Sequence, residues 1–276
     1  MINKLNKYAN NITSQHGEDG IISYILEHVS IPKVCIEFGA WDGKYMSNTH
    51  NLWHNLGWSG ILIEADTIKY NELKSNYSTY DLKVFNHFLE PKGKASLDNL
   101  FIKNNLPKEV GVLSIDIDST DYYIFKYLEH IDPSVVIIEH NHTIPGYIDY
   151  VDPEGDIFLR SSAKAIERLG KEKGYKLICC TETNSILIKN EIFDDKFFPD
   201  MPVEFLFDYS HILSFISATQ GPAANWIPLI TGRPTRFQKL LTPILNRLMA
   251  LIKGSNYKKP NLKIMEALSK SKITVL

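Results

Sequence analysis

What most restricts the fold of this chain is a series of short, unbroken apolar runs, each followed by a segment of helical spacing. The runs are KVCIEF (Lys33 to Phe38), WSGILIEAD (Trp58 to Asp66), LKVFNHFL (Leu82 to Leu89), EVGVLSIDID (Glu109 to Asp118) and PSVVIIEHN (Pro133 to Asn141). A strand with one wet face alternates apolar and polar residues. VVII and GILI do not alternate, and a parallel sheet covered by helices on both faces is what buries such runs whole. The helical segments lie between them. SNTHNLWHNLG carries Leu52, Trp53 and Leu56 at helical spacing and stops at Gly57, and SLDNLFIKNN is a short helix. TIKYNELKSNY opens on Thr67, a good N-cap, and STDYYIFKYLEHI on Ser119. After an irregular loop, the helix SAKAIERLGKEKG precedes two runs, YKLICCT and SILIKN, joined by the turn ETN. So short a connection joins only antiparallel strands. The expected fold is α/β: a three-layer, doubly wound, mostly parallel sheet closed by an antiparallel hairpin.

The 276 residues suffice for one large domain with a well-buried core, or for one domain with an appendage. A net charge of -2 gives no general attraction to nucleic acid. That charge is unevenly spread. From Tyr209 to Met265 there is no Asp or Glu, while Arg233, Arg236, Lys239, Arg247, Lys253, Lys258, Lys259 and Lys263 fall in the span. A main domain over residues 1–200 is therefore expected, followed over 201–276 by a basic, partly helical extension. Within it, RFQKLLTPILNRLMALIKG spaces Phe237, Leu240, Leu241, Ile244, Leu245 and Leu248 as a helix does, and Pro243 suits a first helical position after Thr242. Packing on the main domain, a homodimer contact and a helix lying on an anionic membrane surface all suit such a segment. Its basic and aromatic residues do not interleave, so no nucleic-acid partner is expected. Cys35, Cys179 and Cys180 sit in apolar runs without zinc spacing and read as reduced structural thiols. The N-terminus is too polar for a signal peptide and no run approaches a membrane span. The expected location is the cytoplasm, with the tail able to touch the inner face of the membrane.

In an open parallel sheet, ligands bind beyond the carboxyl ends of the strands where strand order reverses. The first such end is EFGAWDG, in which Gly39 lets backbone approach a ligand and Gly43 permits a tight turn. Glu64 closes the second run, where an acid can take both hydroxyls of an adenosine ribose. A solvated acid ahead of a helix is the other reading of that position. A dinucleotide fold wants GxGxxG, because pyrophosphate needs bare backbone N–H groups at the helix start. Here the turn carries Glu37 and Asp42 instead. Carboxylates repel a pyrophosphate and suit a ligand that carries an ammonium and a sulfonium, as S-adenosylmethionine does.

The strings SQHGEDGIISYIL, EFGAWDGKYMSNTHNL, GWSGILIEAD, LSIDIDSTDYY and VVIIEHN, with the later SSAKAIERLGKEKGYKLICCTETNSILIKN, together resemble the FkbM-like group of class I methyltransferases. The likeness runs from about Ser14 to Asn190 and does not reach the tail beyond Phe198. It implies a seven-stranded Rossmann-like sheet and S-adenosylmethionine as cofactor. It also implies that Glu37 and Gly39 frame the methionine portion and that Glu64 holds the ribose. Gln15 and Glu18 would close over the pocket from the N-terminal helix. Ser47 and Asn48 would give polar contacts at the start of the first helix. Asn86 or His87 would pass near the adenine, and Asp116 would also reach the cofactor.

Methyl transfer to oxygen holds donor and acceptor in line and removes the acceptor's proton. Candidates gather at two neighbouring strand ends: Asp116, Asp118 and Asp121 on one, Glu139, His140, Asn141 and His142 on the other. Alternation places Asp116 and Asp118 on one side of an extended segment, and Glu139 and Asn141 likewise. Asp118, Glu139 and Asn141 then make an oxygen-rich nest suited to Mg²⁺ or Mn²⁺, an arrangement similar to catechol-type O-methyltransferases. Helix capping by Asp118 and Asp121, with an internal ion pair for Glu139, is the plainer reading. His140 and His142 are the side chains suited to general base work near neutral pH. With a metal present, Asp118 or His140 would take the proton from the bound hydroxyl; without one, His140 would act unaided, and Asp116 completes the expected catalytic set. The loop from Thr143 to Arg160 is expected to shape the acceptor pocket, with Tyr147, Tyr150 and Arg160 toward a sugar. The expected activity is O-methylation of a sugar, a polysaccharide precursor or a similar metabolite. A nicotinamide-dependent sugar oxidoreductase and an inactive binding subunit of the same fold are the alternatives.

Overall fold

A computed structural model of the chain describes residues 4–209 and the backbone of 216–218 and 224–226. The apolar runs form β1 (Val34–Phe38), β2 (Ser59–Glu64), β3 (Leu82–Asn86), β4 (Glu109–Ile115) and β5 (Asp132–Glu139), with the closing pair β6 (Tyr175–Cys180) and β7 (Asn184–Lys189). They make a seven-stranded sheet in the order β3-β2-β1-β4-β5-β7-β6. Strands β1 to β5 pair in parallel, and β7 runs antiparallel to both β5 and β6. This is the Rossmann-like arrangement expected, a mostly parallel seven-stranded sheet closed by an antiparallel hairpin. The chain order reverses between β1 and β4, so a crevice opens beyond their carboxyl ends.

Helices cover both faces. On one lie α1 (Glu18–His28), α2 (His50–Asn55) and α3 (Thr67–Asn76); on the other α4 (Leu97–Lys103), α5 (Asp121–Tyr127), α6 (Ala163–Glu172) and the short α7 (Val203–Leu206). Ile21, Leu52, Trp53 and Leu73 pack with Cys35, Leu62 and Val112 in the first layer. Phe101, Phe125, Ile166 and Leu169 pack with Ile36, Phe38 and Leu113 in the second. Successive strand residues thus serve opposite layers, which is why the runs are apolar without interruption.

Local signals at helix starts differ from expectation. Asp66, not Thr67, caps α3, its carboxylate accepting from the N–H groups of Ile68 and Lys69 at 2.8 and 2.9 Å. Thr67 instead donates its hydroxyl to Asn86 at 3.0 Å. Ser119 does not cap α5, because Asp118 turns the chain with φ +57 and the helix starts two residues after Ser119. The first expected helix begins at His50, with Ser47 Oγ accepting from the N–H groups of Thr49 and His50 ahead of it. The core also runs past residue 200, since Val203, Leu206 and Phe207 are buried in the second layer. Beyond it, β8 (Ile216–Ala218) and β9 (Ala224–Trp226) pair antiparallel. The helix expected around Pro243 lies outside the described residues. Among the described residues no helix is long and apolar enough to cross a membrane.

Candidate active site

The turn after β1 is built around a close approach. Gly39 has φ +73, and a Cβ there would lie 2.1 Å from the carbonyl oxygen of Asp116. Only glycine fits where this turn crosses the end of β4. Trp41 follows with φ +49, and its N–H donates to Glu64 Oε2 at 2.7 Å. The other oxygen of Glu64 accepts from Asp66 N–H at 2.7 Å. The buried Glu64 therefore fastens the first turn to the end of β2. Beneath the turn, the buried Glu37 carboxylate accepts from Ser47 Oγ, from Asn48 N–H at 2.8 Å and from Thr49 Oγ1 at 2.8 Å. Burial raises its pKa against the pull of those donors. Asn48 also donates to Ser114 Oγ at 3.1 Å, tying the start of α2 to β4.

Above this turn lies a cavity of about 290 Å³ at the carboxyl ends of β1, β2 and β4. Gly39, Trp41, Glu64, His87, Phe88, Asp116 and Asp118 are among the residues that line it. The structure thus brings together Gly39, Glu64, Asp116 and Asp118 from the expected set. Glu37, Ser47 and Asn48 lie under the turn rather than in the cavity wall. Asn86 is turned aside, donating to the carbonyls of Glu64 and Ala65, while His87 lines the wall. Gln15 is exposed near the N-terminus. Glu18 is fully buried and accepts from Thr181 Oγ1 at 2.6 Å, Asn184 Nδ2 at 3.0 Å and His16 N–H at 2.8 Å.

At the ends of β4 and β5 the acids gather around a guanidinium. Arg160 Nη1 donates to Asp118 Oδ1 at 2.7 Å and also to Glu139 Oε2. Asp121 is buried and accepts from the N–H groups of Ile117 and Ser119 at 2.9 and 3.0 Å. Burial, helped by the charges of Asp121 and Asp118, pushes Asp116 up to about 7. Burial and then Asp116 push Glu139 up to about 8, with Arg160 opposing the rise.

Two expectations need correction here. Asp118, Glu139 and Asn141 do not form a three-residue nest for a metal ion. The Asn141 amide donates to the Leu159 carbonyl at 2.9 Å and accepts from Thr143 N–H and Oγ1 at 2.8 and 2.6 Å, while Arg160 lies on both carboxylates. Among the described residues no group of three His, Cys, Asp or Glu is placed to hold a metal ion. Nor is His140 a base poised near neutral pH. Period-two alternation turns it to the opposite face from Glu139. There its ring packs 5.5 Å from that of Phe207 and Nδ1 meets Ser185 Oγ at 3.1 Å. Burial, with His142 and Arg160 adding to it, lowers its pKa to about 3.

Trp41 and Phe88 in the cavity wall escaped the sequence reading. Their signal was an aromatic residue placed beside turn glycine or polar residues at a strand end, where packing does not require one. Arg160 had a clearer signal. The first 200 residues contain two arginines, Arg160 and Arg168, in a stretch otherwise served by lysine. Arg168 pairs with Asp149 and Glu172, so both arginines meet carboxylates.

No family model matches the chain, and no curated protein matches it in sequence. Similar solved structures include the citrinin polyketide synthase CMeT domain, at 10% identity and TM-score 0.43, covering 62% of this chain and 51% of that one. The CurJ carbon methyltransferase has 8% identity and TM-score 0.44, covering 62% and 52%. This chain thus spans about half the length of each. A S-adenosylmethionine-dependent methyltransferase from Clostridium acetobutylicum ATCC 824 has 12% identity and TM-score 0.39, covering 62% of this chain and 90% of that one.

Proposed function

We propose that this chain is an S-adenosylmethionine-dependent O-methyltransferase of the FkbM-like type, acting on a hydroxyl of a sugar, a polysaccharide precursor or a similar small metabolite. The observation that carries the reading is Glu64. Its carboxylate ends β2 at the cavity beside the reversal of strand order, and backbone N–H groups fix both its oxygens. A carboxylate oxygen accepts more than one hydrogen bond, so lone pairs remain for two ribose hydroxyls. A pyrophosphate would meet Glu64 and Asp116 at this place, whereas a cationic sulfur nucleoside is favoured by them. The donor set fits S-adenosylmethionine, which when bound supplies an electrophilic methyl group on sulfur.

Trp41, His87 and Phe88 then flank the adenine side, and Gly39 offers bare backbone. Asp116 faces the cationic end of the ligand. Glu37, Ser47 and Asn48 hold the turn from below, and Glu18, with Gln15 beside it, anchors the N-terminal segment. Asp116 is also the proton acceptor best placed for the acceptor hydroxyl. Its carboxyl lines the cavity and titrates near neutrality, while Asp118 is held by Arg160 and His140 is too weak a base.

Calorimetry with S-adenosylmethionine, S-adenosylhomocysteine and NAD tests the reading, which binding of NAD alone would remove. Glu64→Ala is expected to weaken S-adenosylhomocysteine binding by about 1.5–3 kcal/mol, the range for a hydrogen bond to a charged group. An unchanged affinity would refute the ribose assignment. Methyl incorporation into nucleotide sugars and capsular fragments would identify the acceptor.

A further inference from the structure

Resting on the methyltransferase reading, we propose that Arg160 is a built-in substitute for a divalent cation: it holds the acids at the ends of β4 and β5, and the site works without a metal ion. One nitrogen, Nη1, touches both Asp118 Oδ1 and Glu139 Oε2. The two oxygens therefore converge on a single point, where a hard cation shared by them would sit, and the guanidinium already occupies it.

The loop carrying Arg160 is shaped for this placement. The Asp152 carboxylate, itself buried, accepts from the backbone N–H groups of Phe158, Leu159 and Arg160 at 2.6, 2.9 and 2.6 Å. Asn141 grips the same segment through the Leu159 carbonyl, and its own N–H donates to the Ser161 carbonyl. Within this frame Arg160 has φ +62, and its partner Asp118 has φ +57. Neither residue is glycine, and L-residues adopt the left-handed conformation uncommonly, Asp more readily than Arg. Strain at both ends of one ion pair marks a contact that the surroundings enforce.

Charge gives the contact its purpose. Asp116, Asp118, Asp121 and Glu139 all act on Arg160 or on one another there. The neighbouring acids raise the proton affinity of Asp116 and Glu139, and Arg160 opposes that rise in both. Arginine suits the task because it keeps its proton at any working pH and presents several donors in a fixed plane. Nη1 serves the two acids. Arg160 is thus a positioning residue, orienting Glu139 and Asp118 beside Asp116.

The test is Mn²⁺ binding to the full chain, read by electron paramagnetic resonance, for wild type, Arg160→Met and Arg160→Lys. Wild type should bind no Mn²⁺ up to millimolar concentration. Arg160→Met empties the point between the carboxylates and should bind Mn²⁺ at least tenfold more tightly than wild type. Arg160→Lys retains a cation and should show no gain, which a merely structural role would not predict. Stoichiometric Mn²⁺ binding by wild type, no gain in Arg160→Met, or an equal gain in Arg160→Lys would each overturn the proposal. If Arg160→Met does not fold, the wild-type result decides. S-adenosylhomocysteine binding, measured in parallel before and after EDTA, keeps the two readings apart. Its complete absence removes the methyltransferase reading while the Mn²⁺ comparison still judges Arg160, and its dependence on a divalent cation overturns Arg160 as the substitute.

Discussion

Asp116 and Glu139 lie on the same face of neighbouring strands, and burial lifts them to about 7 and about 8. An unfolded carboxyl titrates near 4, so the folded chain holds more protons than the unfolded chain between roughly pH 4 and pH 8. The stability these groups contribute is fully present below the unfolded value and is lost as pH rises through the folded values. Thermal melts should therefore show a lower Tm at pH 8.5 than at pH 5.5, with a shallower fall in Asp116→Asn. The same carboxyl, as base, should make kcat/KM rise through about pH 7. Asp116→Asn should flatten that limb and lower kcat/KM roughly a hundredfold, the ordinary contribution of a positioned base. A pH profile unaltered by the substitution would assign the proton to another group.

Among elements, the contact between α1 and the β6–β7 turn shows what sequence patterns convey and what they omit. The periodicity of SQHGEDGIISYIL marks a helix, but not that Glu18 reaches 163 residues along the chain to Thr181. Glu18→Ala would leave the buried Thr181 hydroxyl, Asn184 amide and His16 N–H without their acceptor. The two buried groups, the Thr181 hydroxyl and the Asn184 amide, cost about 1–3 kcal/mol each when unsatisfied, so a loss of about 2–6 kcal/mol is expected in urea unfolding. A loss under about 0.5 kcal/mol would show that water serves these donors equally well. Strands were legible for a related reason: Val135 to Ile138 is apolar because both layers need it. Caps were not. Thr67 and Asp66 are both good capping residues, and which one caps α3 depends on Thr67 finding Asn86 on β3.

For the molecule as a whole, the second layer of the core runs past the boundary expected at residue 200. Val203, Leu206 and Phe207 are 0%, 1% and 2% exposed. A chain ended after residue 200 lacks all three, while one ended after Tyr209 keeps them. Burying one such side chain contributes about 1.5–3 kcal/mol, so the shorter chain should be less stable by about 5 kcal/mol or more. Comparison of the two truncations by denaturant midpoint checks this, and equal midpoints would place the domain end at 200 after all. The charge shift at Tyr209 is a change in composition, and composition alone does not say which residues pack.

By itself the sequence determined the layered architecture, since unbroken apolar runs between amphipathic helices have no other way to leave water. It also determined the turn at Gly39 and the acids at the strand ends, because those residue types at a strand's carboxyl end follow from local backbone and charge requirements. Tertiary structure alone decided what each carboxylate meets. Glu37 and Glu64 look alike on their strands, yet one faces down into hydrogen bonds with Ser47 and Thr49 and the other faces the cavity. It decided, too, that His140 faces away from Glu139 and that the cation among the acids is Arg160. Those outcomes depend on contacts between residues far apart in the chain, and the pattern of any one segment carries no record of what the fold will set against it.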